Sequence, residues 1–130
     1  MPTPYTYDED CAIAKAWVTL KEHFEDLGND IDQSSDAWWN RVFIIFVVLD
    51  GNCNSRTLKL VRERFVEIFE ECEAFKKELK SLREAEPDML GVRRLGLAYA
   101  RYEIIRGKKF ELEDCYCILD GTTYNYNLFG

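Results

Sequence analysis

Apolar residues recur along the chain at steps of three and four, the spacing that gathers them on one side of an α-helix. In the first such stretch Ile13, Ala16, Trp17, Leu20 and Phe24 share a face behind the acids Asp8, Glu9 and Asp10. Acids at that end complement the positive pole of a helix dipole. The pattern predicts a helix from about Asp8 to Glu25 that stops near Gly28. Residues 28–34, GNDIDQS, then read as a polar loop, and Ser34, Ser35 and Asp36 offer N-caps for a second helix running to about Leu49. Its sequence AWWNRVFIIFVVL is apolar almost all round, which predicts the most buried element of the fold. Val, Ile and Phe also favour strands. Helix is preferred because Trp38, Trp39, Val42, Phe43 and Phe46 form a helical stripe continuous with the run.

Asp50 to Ser55, DGNCNS, is a turn cluster, and Ser55 is placed to cap a third helix. That helix has the longest regular pattern: Leu58, Val61, Phe65, Ile68, Cys72, Phe75, Leu79 and Leu82, in alternating steps of three and four. A heptad-like seam of this kind is either the inner face of one long helix or the contact of a homodimer through the third helix. Glu86, Pro87 and Asp88 break the chain, with proline welcome at a helix start. A fourth helix follows to about Arg106, with Leu95, Ala98, Tyr99, Tyr102 and Ile105 inward and Gly107 ending it. A short fifth helix is predicted over about Leu112 to Leu119, and residues 120–130 carry no regular pattern. The expectation from these faces is an all-α bundle in one domain over residues 1–130, with Trp17, Trp39, Phe46, Phe65, Ile68 and Tyr102 in its core.

Composition supports a packed chain. Of 130 residues 47% are apolar and 14% aromatic, which supports a real core and argues against a disordered chain. The longest apolar run, Val42 to Leu49, is too short to cross a bilayer, and no secretory signal is visible at Met1, so an intracellular protein without a membrane partner is expected. The net charge of −7 is unevenly spread: residues 1–55 carry ten acids and three bases, whereas residues 56–82 carry seven bases and six acids. An acidic chain is a poor non-specific binder of phosphate, so any DNA site must be local.

Candidate chemistry is sparse. His23 is the single histidine, and nothing frames it as a base for a nucleophile. The five cysteines, Cys11, Cys53, Cys72, Cys115 and Cys117, form no CxxC pair. Cys115 and Cys117 would point about 200° apart on a helix, so no zinc site is expected. Cys11 and Cys72 fall on apolar stripes, where thiols act as small hydrophobes. There is no glycine-rich phosphate loop. Neither an enzyme nor a cofactor is expected. One patch stands out: Arg56, Lys59, Arg62 and Arg64 accompany a single acid, Glu63, between residues 56 and 66, with Asn52 and Asn54 just upstream. A helix N-terminus bearing Arg, Lys and Asn suits a major groove and its phosphates. The plainer alternative is a solvated face with ordinary pairs such as Lys59 with Glu63.

Several pieces in order resemble one family. Tyr5-Thr6-Tyr7-Asp8-Glu9-Asp10 is similar to an opening W-T-x-x-E-D, and Ala16-Trp17 is similar to the A-W that follows it. Gln33 and then Trp38-Trp39-Asn40-Arg41-Val42 resemble Q…F-W-x-R-V, followed by Phe46. Arg56-Thr57, Val61, Arg64-Phe65, Ile68, Cys72 and Phe75 resemble the third-helix pattern. Ala98, Tyr102 and Gly107-Lys108-Lys109-Phe110, then Cys115-Tyr116-Cys117-Ile118-Leu119, resemble the closing segments. The chain thus resembles, over about residues 5–119, the Myb/SANT-like (trihelix-type) proteins found beside Harbinger-type transposases and in NAM-associated plant proteins.

The resemblance implies a helix bundle with a helix-turn-helix-like core whose third helix reads double-stranded DNA, in a nuclear transcription regulator or transposon accessory protein. Asn54, Arg56, Lys59, Arg62 and Glu63 would face the duplex, and Tyr5, Trp17, Trp39, Phe65 and Tyr116 would be core aromatics. The chain departs from the pattern where Tyr5, Phe65 and Tyr116 replace tryptophans, exchanges that preserve apolar volume. It departs also in its acidic first half and in Glu67, Glu70, Glu71 and Glu73 on the third helix, which repel phosphate. The alternative is a Myb-like scaffold that has lost DNA and binds a protein partner, as a pathogen effector or a transposase adaptor does. One expectation is checked directly by intact mass without reductant. Five reduced thiols are expected, as in a reducing compartment, and a mass short by pairs of hydrogens, or bound zinc, overturns that expectation.

Overall fold

In a computed structural model the chain is described over residues 4–28, 31–51 and 56–121. Those residues form five α-helices, with no strand among them: α1 (Tyr7–Leu27), α2 (Asp36–Asp50), α3 (Leu58–Ala85), α4 (Gly91–Arg106) and α5 (Glu113–Asp120). The stretch Phe43 to Leu49 is helical, so the stripe through Trp38 and Phe46 outweighs the strand preference of its residues. Helix ends follow local chemistry. Thr6 caps α1 through a reciprocal box, its side chain accepting from the Glu9 amide while the Glu9 carboxylate accepts from the Thr6 amide. Ser35 accepts from the Trp38 amide at the start of α2. The expected cap Ser55 lies outside the described residues; the Thr57 hydroxyl accepts from the Leu60 amide. Gly28 closes α1 at φ 69°, a left-handed conformation that costs any other residue a steric penalty.

The chain divides into two compact units, Met1–Ile68 and Phe69–Gly130, with the boundary inside α3. In the first unit Ile13, Ala16 and Leu20 of α1 are buried, as are Trp38, Trp39, Val42 and Phe46 of α2 and Val61, Phe65 and Ile68 of α3. Trp17 is half-buried and stacks on Phe65 at 5.1 Å between ring centres, while Trp38 meets Trp17 edge-on at 5.9 Å. In the second unit Phe75 is the hub: it stacks on Phe110 at 4.2 Å and meets Tyr116 edge-on at 5.5 Å, with Tyr99 at 5.0 Å and Tyr102 at 6.3 Å. Cys72, Cys115 and Cys117 are buried in the same unit, and Cys11 is half-buried in the first.

Three expectations are corrected. The second helix is not buried all round: Ile44 is 62% and Val48 76% exposed, because they lie opposite the Trp39–Phe46 side. Pro87 does not open α4, which starts at Gly91. Instead Pro87 sits in a turn held by the Arg94 guanidinium, which donates to the carbonyls of Pro87 and Met89. Ile105 is 65% exposed in the last turn of α4, and Arg94 takes an inner position that the apolar pattern left out. The burial map separates two kinds of substitution. Phe75→Ala should lose about 3–5 kcal/mol in urea unfolding as a large-to-small core change. Val48→Ser, on the exposed side of α2, should stay within about 0.5 kcal/mol of the wild type.

Candidate nucleic-acid interface

The four bases at the start of α3 do not share one environment. Arg56 precedes the helix and is buried, at 6% exposure. Its Nε donates to Glu9 Oε2 at 2.7 Å and its Nη2 to Glu9 Oε1 at 2.9 Å and to the Pro4 carbonyl at 3.0 Å. Arg64, one turn and more into α3, makes a second fork: Nε and Nη2 each lie 2.8 Å from an oxygen of Asp10, which is itself buried. Its Nη1 also reaches Glu67 at 3.2 Å. The Tyr5 ring lies beside both guanidiniums, 3.8 Å from Arg56 and 5.5 Å from Arg64. Two-point pairing fixes the plane and direction of each guanidinium, so the forks tie the start of α1 to the start of α3 in one register.

Electrostatics follow from these contacts. The hydrogen bonds from Arg56 hold the Glu9 carboxyl below the usual glutamate range, with the Thr6 amide adding to the effect. Arg56 and Arg64 are pushed up in turn, chiefly by the carboxylates they grip. Burial raises the Tyr5 phenol.

The remaining bases sit differently. Arg62 is half-buried: its Nη2 donates to the Ser34 carbonyl at 2.8 Å, its Nη1 lies 3.5 Å from Asp36, and its guanidinium lies 5.8 Å from the Trp39 ring. Lys59 and Glu63 are exposed, and among the described residues neither side chain is in an ion pair. The pair expected between them is not formed. Asn54 lies outside the described residues. The structure therefore turns Arg56 away from the surface where a duplex contact was expected, because Glu9 and the Pro4 carbonyl meet its donors inside. Lys59, Glu63 and the half-exposed Arg62 keep the outer side of the first turns. Of the aromatics assigned to the core, Trp39, Phe65 and Tyr116 are buried, while Tyr5 and Trp17 are half-buried.

No family model, curated protein or solved structure matches the chain. The sequence pattern places Glu9 and Asp10 as dipole partners at the start of α1 and in the opening segment of the resemblance, not as partners of arginine. The spacing Thr6-x-x-Glu9 was the available signal for the capping box, but no local signal pointed to arginines 47 and 54 residues away.

Two measurements check the forks. Arg64→Met, which leaves Asp10 buried and unpaired, should cost about 3–5 kcal/mol of stability. The lowered Glu9 pKa means that its stabilising effect is present above the unfolded-state value of about 4.3 and is lost as pH falls through the folded value. Unfolding free energy of the wild type should therefore fall below about pH 4.5, and Glu9→Gln should show a shallower acid limb. Equal slopes for the two proteins remove the linkage from Glu9.

Proposed function

We propose that the first unit is a Myb/SANT-like DNA-binding module that reads a duplex with the outer side of the first turns of α3. The observation that carries this reading is the division of labour among the bases. Arg56 and Arg64 are satisfied inside by Glu9 and Asp10, while Lys59 and Glu63 stand exposed with no ion pair among the described residues. The inner arginines orient the helix, and the outer side chains are left for a ligand. Lys59 and Arg62 suit phosphate or the acceptor edge of guanine, and the Glu63 carboxylate suits the amino group of cytosine. Glu67 and Glu70 follow on α3, which confines the phosphate-attracting part to the helix start. The sequence resemblance points the same way.

A second reading, a non-catalytic module for a protein partner, is favoured by the exposed Ile44 and Val48 on α2. Apolar side chains that pack on nothing internal are suited to a protein surface. Duplex titrations over a range of salt separate the two. In the DNA reading, affinity falls as salt rises and Lys59→Ala flattens the log–log slope by about one if Lys59 meets phosphate. If it reads a base, Lys59→Ala instead costs about 1–3 kcal/mol at one base pair and relaxes specificity there. Arg56→Ala should lower the melting temperature as well, since its role lies inside the fold, whereas Lys59→Ala should leave it unchanged. No binding to any duplex near 50 mM salt, with the fold intact, sinks the DNA reading and leaves the partner-binding one.

A further inference from the structure

Helix α4 carries a second patterned side, opposite its core-facing residues Arg94, Ala98 and Tyr102. Val92 is 67% and Ile104 81% exposed at its two ends. Between them Gly96 and Ala100, also exposed, leave the backbone nearly bare. Among the described residues a Cβ added at Gly96 meets nothing within 4 Å, so none of them requires glycine there. Glycine weakens an exposed helix relative to alanine, and what it offers in exchange is close approach by another backbone. The charges on this side are of opposite sign at its two ends: Arg93 near the start and Glu103 near the finish, both exposed, and neither in an ion pair among the described residues.

This sequence of features is complementary to itself when reversed. Placing a second α4 antiparallel, with a two-fold axis midway between Gly96 and Ala100, sets Arg93 of each copy against Glu103 of the other. The same register sets Val92 against Ile104 and Gly96 against Ala100, each twice. A two-fold contact must be self-complementary in this way. Small residues at the crossing allow the short interaxial distance that brings the flanking apolar and charged side chains into contact. We infer that α4 is the contact of a homodimer, an antiparallel pair of helices held by two reciprocal Arg93–Glu103 ion pairs around a Gly96–Ala100 crossing. The α3 seam, whose alternative use was a dimer contact, is buried within the chain from Val61 to Leu82, so α4 and not α3 carries the contact proposed here. The inference stands apart from the DNA reading, because it rests on a different helix and predicts an oligomeric state rather than a ligand.

A contact confined to one four-turn helix is small and should give a weak, concentration-dependent dimer. Sedimentation equilibrium of the full chain tests it, with charge-reversed variants. Arg93→Glu alone and Glu103→Arg alone each set like charges together twice, and each should weaken dimerisation by roughly tenfold or more. Mixing these two variants in equal amounts restores both opposite-charge pairs, so the mixture should dimerise about as tightly as the wild type. Recovery on mixing cannot come from a folding defect in either chain. Gly96→Leu should abolish the dimer while the dilute monomer melts no lower than the wild type, because the added side chain meets open space. A wild type that stays monomeric at the highest soluble concentration overturns the proposal. So does a dimer that is unmoved by Gly96→Leu, or single charge variants that fail to recover on mixing.

Discussion

A guanidinium withdrawn from water is destabilising unless anions and carbonyls meet its donors in the right plane. At the start of α3 the chain meets this condition twice, with Glu9 on Arg56 and Asp10 on Arg64. Since Glu9 and Asp10 are neighbours on α1, the two forks fix both where α3 begins and how it is rotated. With that rotation set, Phe65 comes to Trp17 and Trp39, at 5.1 and 5.4 Å. The Tyr5 ring, beside both cations, excludes water from the pairs and adds its own attraction to their charge. Hydrophobic packing supplies most of the drive to collapse in such a unit. The forks select one arrangement among the several that apolar faces alone would accept.

The forks also change how charge should be counted. The basic cluster in the linear sequence has four members, but three lie against carboxylates of the acidic first segment: Arg56 on Glu9, Arg64 on Asp10 and, at 3.5 Å, Arg62 on Asp36. Part of the excess acid near the N-terminus is thereby spent inside the fold rather than displayed. Net charge alone would overstate both the basicity of α3 and the acidity of α1. What remains on the outer side of the first turns is a short display of the exposed Lys59 and Glu63 beside the half-buried Arg62.

Much of the helical framework was legible because periodicity is a local property. The inner face of α3 was read nearly residue for residue: Val61, Phe65, Ile68, Cys72, Phe75, Leu79 and Leu82 are all buried, with Leu58 half-buried. For α2 the same method lost its phase, since a run apolar on every side does not say which side faces in. Ile44 and Val48 were misjudged for that reason. In α4 the buried Arg94 was invisible to an apolar pattern, because its carbonyl partners belong to a turn whose shape is not encoded in periodicity. At the candidate site the residue types were legible and their directions were not. Whether an arginine faces in or out is decided by a carboxylate that only folding brings near.

Glu9 holds two duties on one carboxylate: it closes the capping box with Thr6 and it grips Arg56. Its Oε1 serves both donors at once. Replacement by aspartate would shorten the reach, and replacement by glutamine would keep the shape while surrendering the charge. Sequence drift at positions 6, 9 and 56 is consequently not independent. A change at Thr6 loosens the carboxylate that Arg56 depends on, and a change at Arg56 leaves the capping acid without its strongest donor. The three positions form a single unit of inheritance, in which the tolerated alternatives are combinations rather than individual residues.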